Sequence, residues 1–162
     1  MPTPDYVLQL RRLVGHDLLF LPGVSGVVVR EVAGHPQVLL ERRADSGEWT
    51  LPSGIVEPFE QPADGLAREV AEETGVEVRV DRLALLVTDP ELQYPNGDRC
   101  CYVSMTFRCT YLAGDAAVAD EESSEVGWFG LDALPPLSAR MRRRLQVGLP
   151  AAGETVFEAR AG

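Results

Sequence analysis

The sequence predicts an α/β fold, because segments with the alternating pattern of β-strands lie on both sides of one well-marked helix. The clearest strand runs from Cys101 to Tyr111, where apolar and polar residues alternate between two faces. The clearest helix runs from Pro62 to Thr74, because proline suits a first helical turn and Gly75 is placed to end it. The 162 residues contain no internal repeat and no linker, so we expect a single domain over 1–162.

The other elements follow from periodicity and turn signals. Before the helix we expect an N-terminal helical extension over residues 1–16. Two strands follow, Leu18–Leu21 and Val24–Val29, separated by Pro22-Gly23. A third strand, Val38–Glu41, and a loop, Trp49–Gly54, complete this part of the chain. After it we expect a strand, Leu83–Thr88, and a turn-rich loop, Tyr94–Asp98. Beyond the clear strand at 101–111 we expect an acidic loop, Asp120–Glu125, and a short strand, Val126–Phe129. A helix with one apolar stripe then covers Leu137–Leu145. Residues 150–162 form a weakly patterned tail.

The composition limits the classes of partner. The formal net charge is -10, and all fifteen basic residues are arginine. Such acidity argues against nucleic-acid binding, which relies on a basic surface, but a phosphate substrate is compatible if a cation mediates its binding. No apolar run is long enough to span a membrane and no signal peptide is recognisable, so we expect a cytoplasmic protein. Cys100, Cys101 and Cys109 have no zinc-site spacing, and we interpret them as reduced packing residues.

Three glutamates give the helix its chemical interest. Glu69, Glu72 and Glu73 are spaced i, i+3 and i+4, so a helix places them on one face. Like charges at this spacing destabilise a helix, and an external partner should offset the repulsion. A hard divalent cation is the natural candidate, because Mg²⁺ binds carboxylate and water oxygens and bridges to substrate phosphates. The alternative is a solvated acidic face with no ligand.

The residues around these glutamates fit a built site. Leu66 and Val70 offer the opposite, apolar face of the helix for packing. A pairing between Arg68 and Glu60 would tie the preceding loop to the helix. Gly54 opens that loop, and the absence of a Cβ would let its carbonyl approach a metal.

The whole stretch has a recognisable pattern. Residues 54–76, GIVEPFEQPADGLAREVAEETGV, match G-x5-E-x7-R-E-U-x-E-E-x-G-U in full, where U is a bulky aliphatic residue. This pattern is the Nudix box, and the chain resembles the Nudix hydrolase family, in particular bacterial ADP-ribose pyrophosphatases and mutator-type nucleoside triphosphate pyrophosphohydrolases. The flanking VSGVVV, QVLLERR and Trp128-Phe129 look like the usual surroundings of the box. The resemblance implies an α/β/α sandwich with a mixed β-sheet, and a homodimer is compatible with it.

The resemblance also implies metal ligands. Glu69 and Glu73 would be the main ligands of one to three Mg²⁺ or Mn²⁺ ions, with the carbonyl of Gly54 as another ligand. Glu72 would be a further ligand or the general base. Glu60 would ligate metal through water or hold Arg68, which we group with the catalytic residues.

Family members often take the general base from a separate loop. We therefore name Glu122, ahead of Glu121, as a candidate base in the acidic loop, with a merely solvated loop as the alternative. The chain departs from the usual pattern at Phe59, where many relatives have glycine. Phe59 would pack against the start of the helix or narrow the pocket.

The substrate contacts are less strongly indicated. Arg42 and Arg43 end a strand near the box and could contact phosphate, but adjacent strand residues face opposite ways, so at most one is expected in the site. Trp49 and Tyr94 could stack on a base, and core packing or loop anchoring is the alternative for each.

The sequence therefore predicts a metal-dependent hydrolase. It would cleave the pyrophosphate bond of a nucleoside diphosphate linked to another moiety, in ADP-ribose-like nucleotide sugars or in normal or oxidised nucleoside triphosphates. The alternative is a catalytically silent module that senses a nucleotide, although such modules typically lose glutamates that this box keeps. RNA decapping is a third hypothesis, which the acidic charge disfavours.

Overall fold

A computed structural model describes residues 3–119 and 123–159, which form three helices and nine strands. The helices are α1 (Asp5–Val14), α2 (Pro62–Thr74) and α3 (Ala139–Gly148). The strands are β1 (Leu19–Val32), β2 (His35–Arg43), β3 (Trp49–Thr50), β4 (Ser53–Ile55), β5 (Glu77–Thr88), β6 (Leu92–Gln93), β7 (Arg99–Ala113), β8 (Ser123–Gly130) and β9 (Val156–Phe157). No helix in this part of the chain is long and apolar enough to cross a membrane.

All the described strands belong to one mixed sheet. Its main path runs β3-β2-β1-β7-β5-β9, with β4 paired to β1, β6 to β7 and β8 to β2. The long β1 and β7 are parallel neighbours, with Leu19 opposite Cys100 and Val29 opposite Thr110. The β5–β7 pair is antiparallel and interrupted by register shifts. The central β1 therefore carries β7 along one edge and β2 and β4 along the other.

The sheet is covered on both faces. On one face, Leu66 and Val70 of α2 pack with Val24 and Val28 of β1. On the other, Leu145 of α3 packs in a second apolar cluster. Its buried members are Val27, Val29, Val38, Leu40, Leu51, Leu137, Met141 and Leu145. Because successive residues of β1 point to opposite faces, its apolar run contributes side chains to both clusters. This arrangement confirms the predicted α/β/α sandwich with a mixed β-sheet.

The N-terminal helix closes one end of the sheet. Val7 of α1 packs with Leu21 and Cys100 in a third, smaller apolar cluster. The Tyr6 hydroxyl donates to the carbonyl of Val56 at 3.1 Å, which joins α1 to the loop that precedes α2. Helix α1 thus stands beside the segment that carries the box.

Several strand boundaries differ from those that the sequence predicts. Pro22-Gly23 does not break β1, because the pairing with β7 continues through both residues, opposite Val103 and Ser104. The Pro22 carbonyl also accepts a hydrogen bond from the Val56 backbone N–H at 3.1 Å. The predicted loop at 49–54 contains β3 and β4, which exist through pairing with β2 and β1. In the tail, Val156 and Phe157 add a short parallel strand beside β5.

The two faces of β7 are both covered. The sequence separates an apolar set from a polar set on this strand, and the structure buries three members of the polar set: Ser104, Thr106 and Arg108. They lie on the face that carries α3, which is not solvated. The three cysteines are free thiols, with Cys100 and Cys109 buried, as expected for packing residues.

Candidate active site

The glutamates of α2 share one side of the helix but differ in environment. Pro62 lies in the first turn and Gly75 ends the helix in the left-handed conformation, at φ 70°. Glu69 and Glu73 are buried against the sheet. The side chain of Glu72 is 49% exposed and lies 3.2 Å from Arg68 Nη1. The i, i+4 pair therefore faces inward, and the i+3 residue lies at the rim.

Gly54 and Glu69 form a close contact between β4 and α2. A Cβ built on Gly54 would collide with the carboxyl group of Glu69. The missing side chain leaves the space that the buried carboxyl group fills. Oε1 of Glu69 lies 3.2 Å from Arg68 Nη1, and Oε2 has no hydrogen-bond partner in the part of the chain that the structure describes. Burial raises the pKa of Glu69 to about 7, and the nearby Arg68 opposes this rise.

Glu73 lies in a cluster of buried carboxyl groups. Its Oε2 accepts a hydrogen bond from the Ser53 backbone N–H at 3.2 Å. Burial, followed by the charges of Glu41 and Glu69, raises the pKa of Glu73 well above its ordinary range. The raised pKa values indicate that ionising these carboxyl groups is unfavourable without a partner, and a cation would supply one.

Glu41 is a buried carboxyl group that the sequence analysis did not single out. It is 3% exposed on β2 and accepts from the Ser123 hydroxyl at 3.2 Å. A signal was present, because Glu41 follows Leu39 at the strand period and so shares the face that α2 covers. A charged residue at a buried position of such a face is therefore a candidate site residue.

Arg68 connects the loop before α2 with the helix. Its Nε donates to Glu60 Oε1 at 2.8 Å and its Nη2 to Oε2 at 3.0 Å, so the predicted pairing is present as a two-pronged ion pair. Glu60 Oε2 also accepts from the Glu57 backbone N–H at 3.0 Å. These hydrogen bonds, above all those from Arg68, hold the pKa of Glu60 below its ordinary value. Glu60 is therefore placed to hold Arg68.

Phe59 does neither of the things that the sequence suggested for it. It is 105% exposed, so it does not pack against the start of α2, and it is not among the residues that line the cleft described below. Its φ of 71° lies in the left-handed region, which explains why glycine would suit this position. Glu121 and Glu122, the candidate bases, lie outside the described residues.

A cleft of about 770 Å³ opens beside the box. Glu69, Glu73 and Gly54 contribute to its wall, together with residues of α1, β7 and α3. Arg43 and Tyr94 also line it, whereas Arg42 does not. The expectation that at most one of the two arginines reaches the site agrees with this placement.

The four candidate substrate residues have different surroundings. Arg43 is held by Asp45, with its Nη2 2.6 Å from Oδ2. The hydroxyl of Tyr94 lies 2.9 Å from that of Tyr102. Arg42 donates to the carbonyl of Gly47 at 3.0 Å and borders a separate depression of about 390 Å³ together with Trp49.

The ring of Trp49 meets Phe129 edge-on, with 4.8 Å between the centroids. This is the packing position that the sequence analysis left as the alternative to base stacking.

The geometry can be compared with known proteins. The model of the NUDIX domain matches residues 20–147. The chain belongs to the Nudix family. Its matched segment contains the box and the whole sheet except the last short strand, and it leaves out α1.

Individual relatives agree with this assignment. The Nudix chain is 42% identical over 109 residues to a MutT-like protein of Streptomyces ambofaciens, covering 67% of this chain and 63% of that protein. It is 30% identical over 129 residues to the NAD-capped RNA hydrolase NudC of Pseudomonas fluorescens, covering 76% of this chain and 42% of that protein. The chain therefore spans less than two thirds of the length of these relatives.

A solved structure shows the same fold. The MutT Nudix hydrolase from Burkholderia pseudomallei superposes with a TM-score of 0.64 at 26% identity, covering 80% of this chain and 98% of that one.

Proposed function

We propose that this Nudix protein is a metal-dependent pyrophosphohydrolase. It cleaves the pyrophosphate bond of a nucleoside diphosphate linked to another moiety. The observation that carries the proposal is the buried carboxyl group of Glu69, which packs on Gly54 beside Glu73. Arg68 lies beside Oε1 of this carboxyl group, but Oε2 is buried without a hydrogen-bond partner within residues 3–119 and 123–159. A buried carboxylate oxygen without a partner is unfavourable, and a bound cation would supply one.

The residues present fit a hard divalent cation. No three carboxylate, imidazole or thiol groups within 3–119 and 123–159 form a metal site by themselves, so water and substrate oxygens would complete the coordination. Glu69 and Glu73 would hold Mg²⁺ or Mn²⁺, with the Gly54 carbonyl as a further ligand. When bound, the cation neutralises the diphosphate and lowers the pKa of the attacking water.

The remaining charged residues divide into positioning and proton-transfer roles. Arg68 holds Glu60 and so fixes the loop that leads into α2. Glu72 lies at the solvent-exposed rim, where it can act as a further ligand or accept a proton. Glu122, ahead of Glu121, remains our candidate for the base that the family takes from a separate loop.

The substrate is a small nucleotide, of the nucleotide-sugar or nucleoside triphosphate class. The net charge of -10 disfavours a long nucleic acid, although a NudC relative is named for capped RNA. Arg43 and Tyr94 line the cleft and are the better placed of the four predicted substrate contacts. The cytoplasmic location and the homodimer stay predictions.

The test is turnover of a substrate panel by the purified protein. ADP-ribose, nucleotide sugars, dinucleoside polyphosphates and normal and oxidised nucleoside triphosphates are incubated with Mg²⁺, Mn²⁺ or EDTA, and phosphate or monophosphate release is measured. We expect metal-dependent turnover, which Glu73→Gln lowers by roughly a hundredfold or more because the amide is a weak cation ligand.

Glu77→Gln is the matched control for the substitution. Glu77 is an exposed glutamate at the start of β5, and the same change there should leave turnover intact. Turnover that persists in EDTA, or that survives Glu73→Gln, contradicts the proposed mechanism. Binding of a nucleotide without turnover would identify a sensor instead.

A further inference from the structure

The cleft extends beyond the box onto the face of the sheet that carries α3. Its lining there includes Gly23 of β1 and Tyr102 and Ser104 of β7, which are neighbouring residues of the parallel pair. A Cβ on Gly23 would lie only 3.3 Å from the Tyr102 ring and 3.6 Å from Ser104 Oγ. The absence of a Cβ at Gly23 therefore lets the Tyr102 ring and the Ser104 hydroxyl lie close against β1.

A buried ion pair forms one wall of this pocket. Asp89 Oδ2 accepts from Arg144 Nη2 at 2.6 Å and from Ser104 Oγ at 2.5 Å. Arg144 Nη1 donates to Ser25 Oγ at 3.2 Å. The side chains of Asp89 and Arg144 are only 7% and 8% exposed. The pair therefore sits in the pocket wall with its orientation fixed by two serines.

Stability alone does not explain why the Asp89–Arg144 ion pair is buried here. Buried ion pairs contribute little net stability compared with apolar residues of the same volume, because both charges must lose their hydration. Arg144 Nε is buried without a hydrogen-bond partner in the described part of the chain. The cost of burying these groups points to a binding role, since α3 could cover the sheet with apolar side chains, as it does at Met141 and Leu145.

Two polar groups at this wall have unused hydrogen-bonding capacity. Asp89 Oδ1 lies 3.9 Å from Arg140 Nη1, which is beyond hydrogen-bond distance. Within residues 3–119 and 123–159, neither this oxygen nor the Arg140 guanidinium makes a hydrogen bond. Both residues line the cleft, and the Arg140 side chain is 44% exposed. An acceptor and a donor thus stand side by side, facing the same space.

Other residues that line the pocket are apolar and aromatic. The Tyr94 and Tyr102 hydroxyls lie 2.9 Å apart, which fixes the two rings relative to each other. Pro4 and Val7 add apolar surface from the start of α1, which lies outside the segment matched by the family. The pocket therefore combines two aromatic rings, apolar surface and one polar edge.

We propose that this pocket binds the nucleobase of the substrate, and that Asp89 and Arg140 select the base. A base is planar and carries a hydrogen-bond donor next to an acceptor on its edge, which complements the carboxylate oxygen and the guanidinium. A second phosphate fits less well, because Asp89 would repel it. The proposal rests on the proposed function, since it assumes that the substrate is a nucleotide.

Direct binding measurements test this assignment without metal or turnover. AMP, GMP, CMP, UMP and ribose 5-phosphate are titrated by calorimetry into the protein in EDTA. We expect one base to be preferred and ribose 5-phosphate to bind most weakly. Arg140→Gln should reduce the affinity for the preferred nucleotide by roughly tenfold, while changing the others less, because it removes a charged hydrogen-bond donor.

A second variant and a matched control separate recognition from folding. Asp89→Asn keeps the shape of the side chain but changes the acceptor edge, so the order of base preference should change; its folding is checked by thermal unfolding. Arg143→Gln alters an exposed arginine of the same helix and should leave all the affinities unchanged.

Three outcomes overturn the base pocket. They are affinities that are equal for the four nucleotides or undetectable, ribose 5-phosphate binding as tightly as the nucleotides, and Arg140→Gln behaving like Arg143→Gln.

These results distinguish a failure of the base pocket from a failure of the proposed hydrolase function. Metal-dependent turnover with unchanged base preference in both variants refutes the pocket and leaves the hydrolase. Base-selective binding that Arg140→Gln abolishes, in a protein without turnover, supports the pocket and refutes the hydrolase.

Discussion

At the scale of single residues, the contact between Gly54 and Glu69 links backbone geometry to chemistry. The carboxyl group of Glu69 occupies the space where any other residue at 54 would carry its Cβ. The same contact buries the carboxyl group and raises its pKa to about 7. A position that must be glycine for steric reasons therefore also sets the electrostatics of the site.

Gly54→Ala tests this linkage. The added methyl group must displace either the Glu69 carboxyl group or β4, so we expect a loss of stability of about 1–3 kcal/mol, as is typical of overpacking in a buried site. Turnover and Mg²⁺ affinity should both fall. Thermal unfolding and metal titration measure the two effects.

Gly127→Ala is the matched control for the glycine substitution. A Cβ at Gly127 would meet the Phe129 ring at an ordinary contact distance of 3.4 Å, so this change should be nearly neutral. If Gly54→Ala is equally neutral in stability and metal affinity, the steric account of the box glycine is wrong.

At the scale of elements, the loop over residues 56–61 depends on contacts with α2. Its Glu60 is held by Arg68 through two hydrogen bonds, and its Val56 carbonyl accepts from Tyr6 of α1. Gly65, in the first half of α2, leaves room for this arrangement, because a Cβ there would lie 2.7 Å from Glu60 Oε2. The loop is therefore fixed by side chains on two helices.

Arg68→Gln should release this loop. We expect faster amide hydrogen exchange across residues 56–61 and a loss of stability of about 1 kcal/mol, since the ion pair is two-pronged and partly buried. Arg68→Lys keeps the positive charge but cannot form both hydrogen bonds to Glu60. Its hydrogen exchange and stability should therefore lie between those of the wild type and Arg68→Gln. Unchanged exchange in the loop of Arg68→Gln would show that other contacts hold it.

Element boundaries that depend on local sequence were predicted correctly, and those that depend on a distant strand were not. The bounds of α2 were predicted correctly, because Pro62 and Gly75 mark the helix ends through their own backbone preferences. The short β4 was predicted as a loop, because only pairing with β1 makes it a strand. Local chemistry fixes a helix end, whereas a two- or three-residue strand depends on a distant partner.

At the scale of the whole molecule, the cleft joins groups that no local pattern connects. Four polar side chains from different elements meet at one point. Ser25 lies on β1, Asp89 follows β5, Ser104 lies on β7 and Arg144 lies on α3. The box could be recognised because its residues are close in sequence. The polar pocket could not, because the parallel pairing of β1 with β7 and the position of α3 create it.

The buried carboxyl groups should also give the metal-free protein an unusual dependence of stability on pH. Burial raises the pKa of Glu69 from 4.5 to about 7 and raises that of Glu73 as well. The folded state therefore binds more protons than the unfolded state above pH 4.5, so the free energy of unfolding falls as the pH rises. Glu60, whose pKa is lowered, acts in the opposite direction but only below its ordinary value.

In EDTA we expect the free energy of unfolding to fall by on the order of 2 kcal/mol between about pH 5 and pH 8, measured by urea titration. Glu69→Gln should reduce this slope, because the amide does not titrate and Glu73 alone then contributes, whereas Glu77→Gln should keep the full slope. Added Mg²⁺ should stabilise the protein more at pH 8 than at pH 5, since it binds the deprotonated carboxylates. A metal-free protein that becomes more stable over this range would mean that these carboxyl groups are ionised in the folded state without a cation.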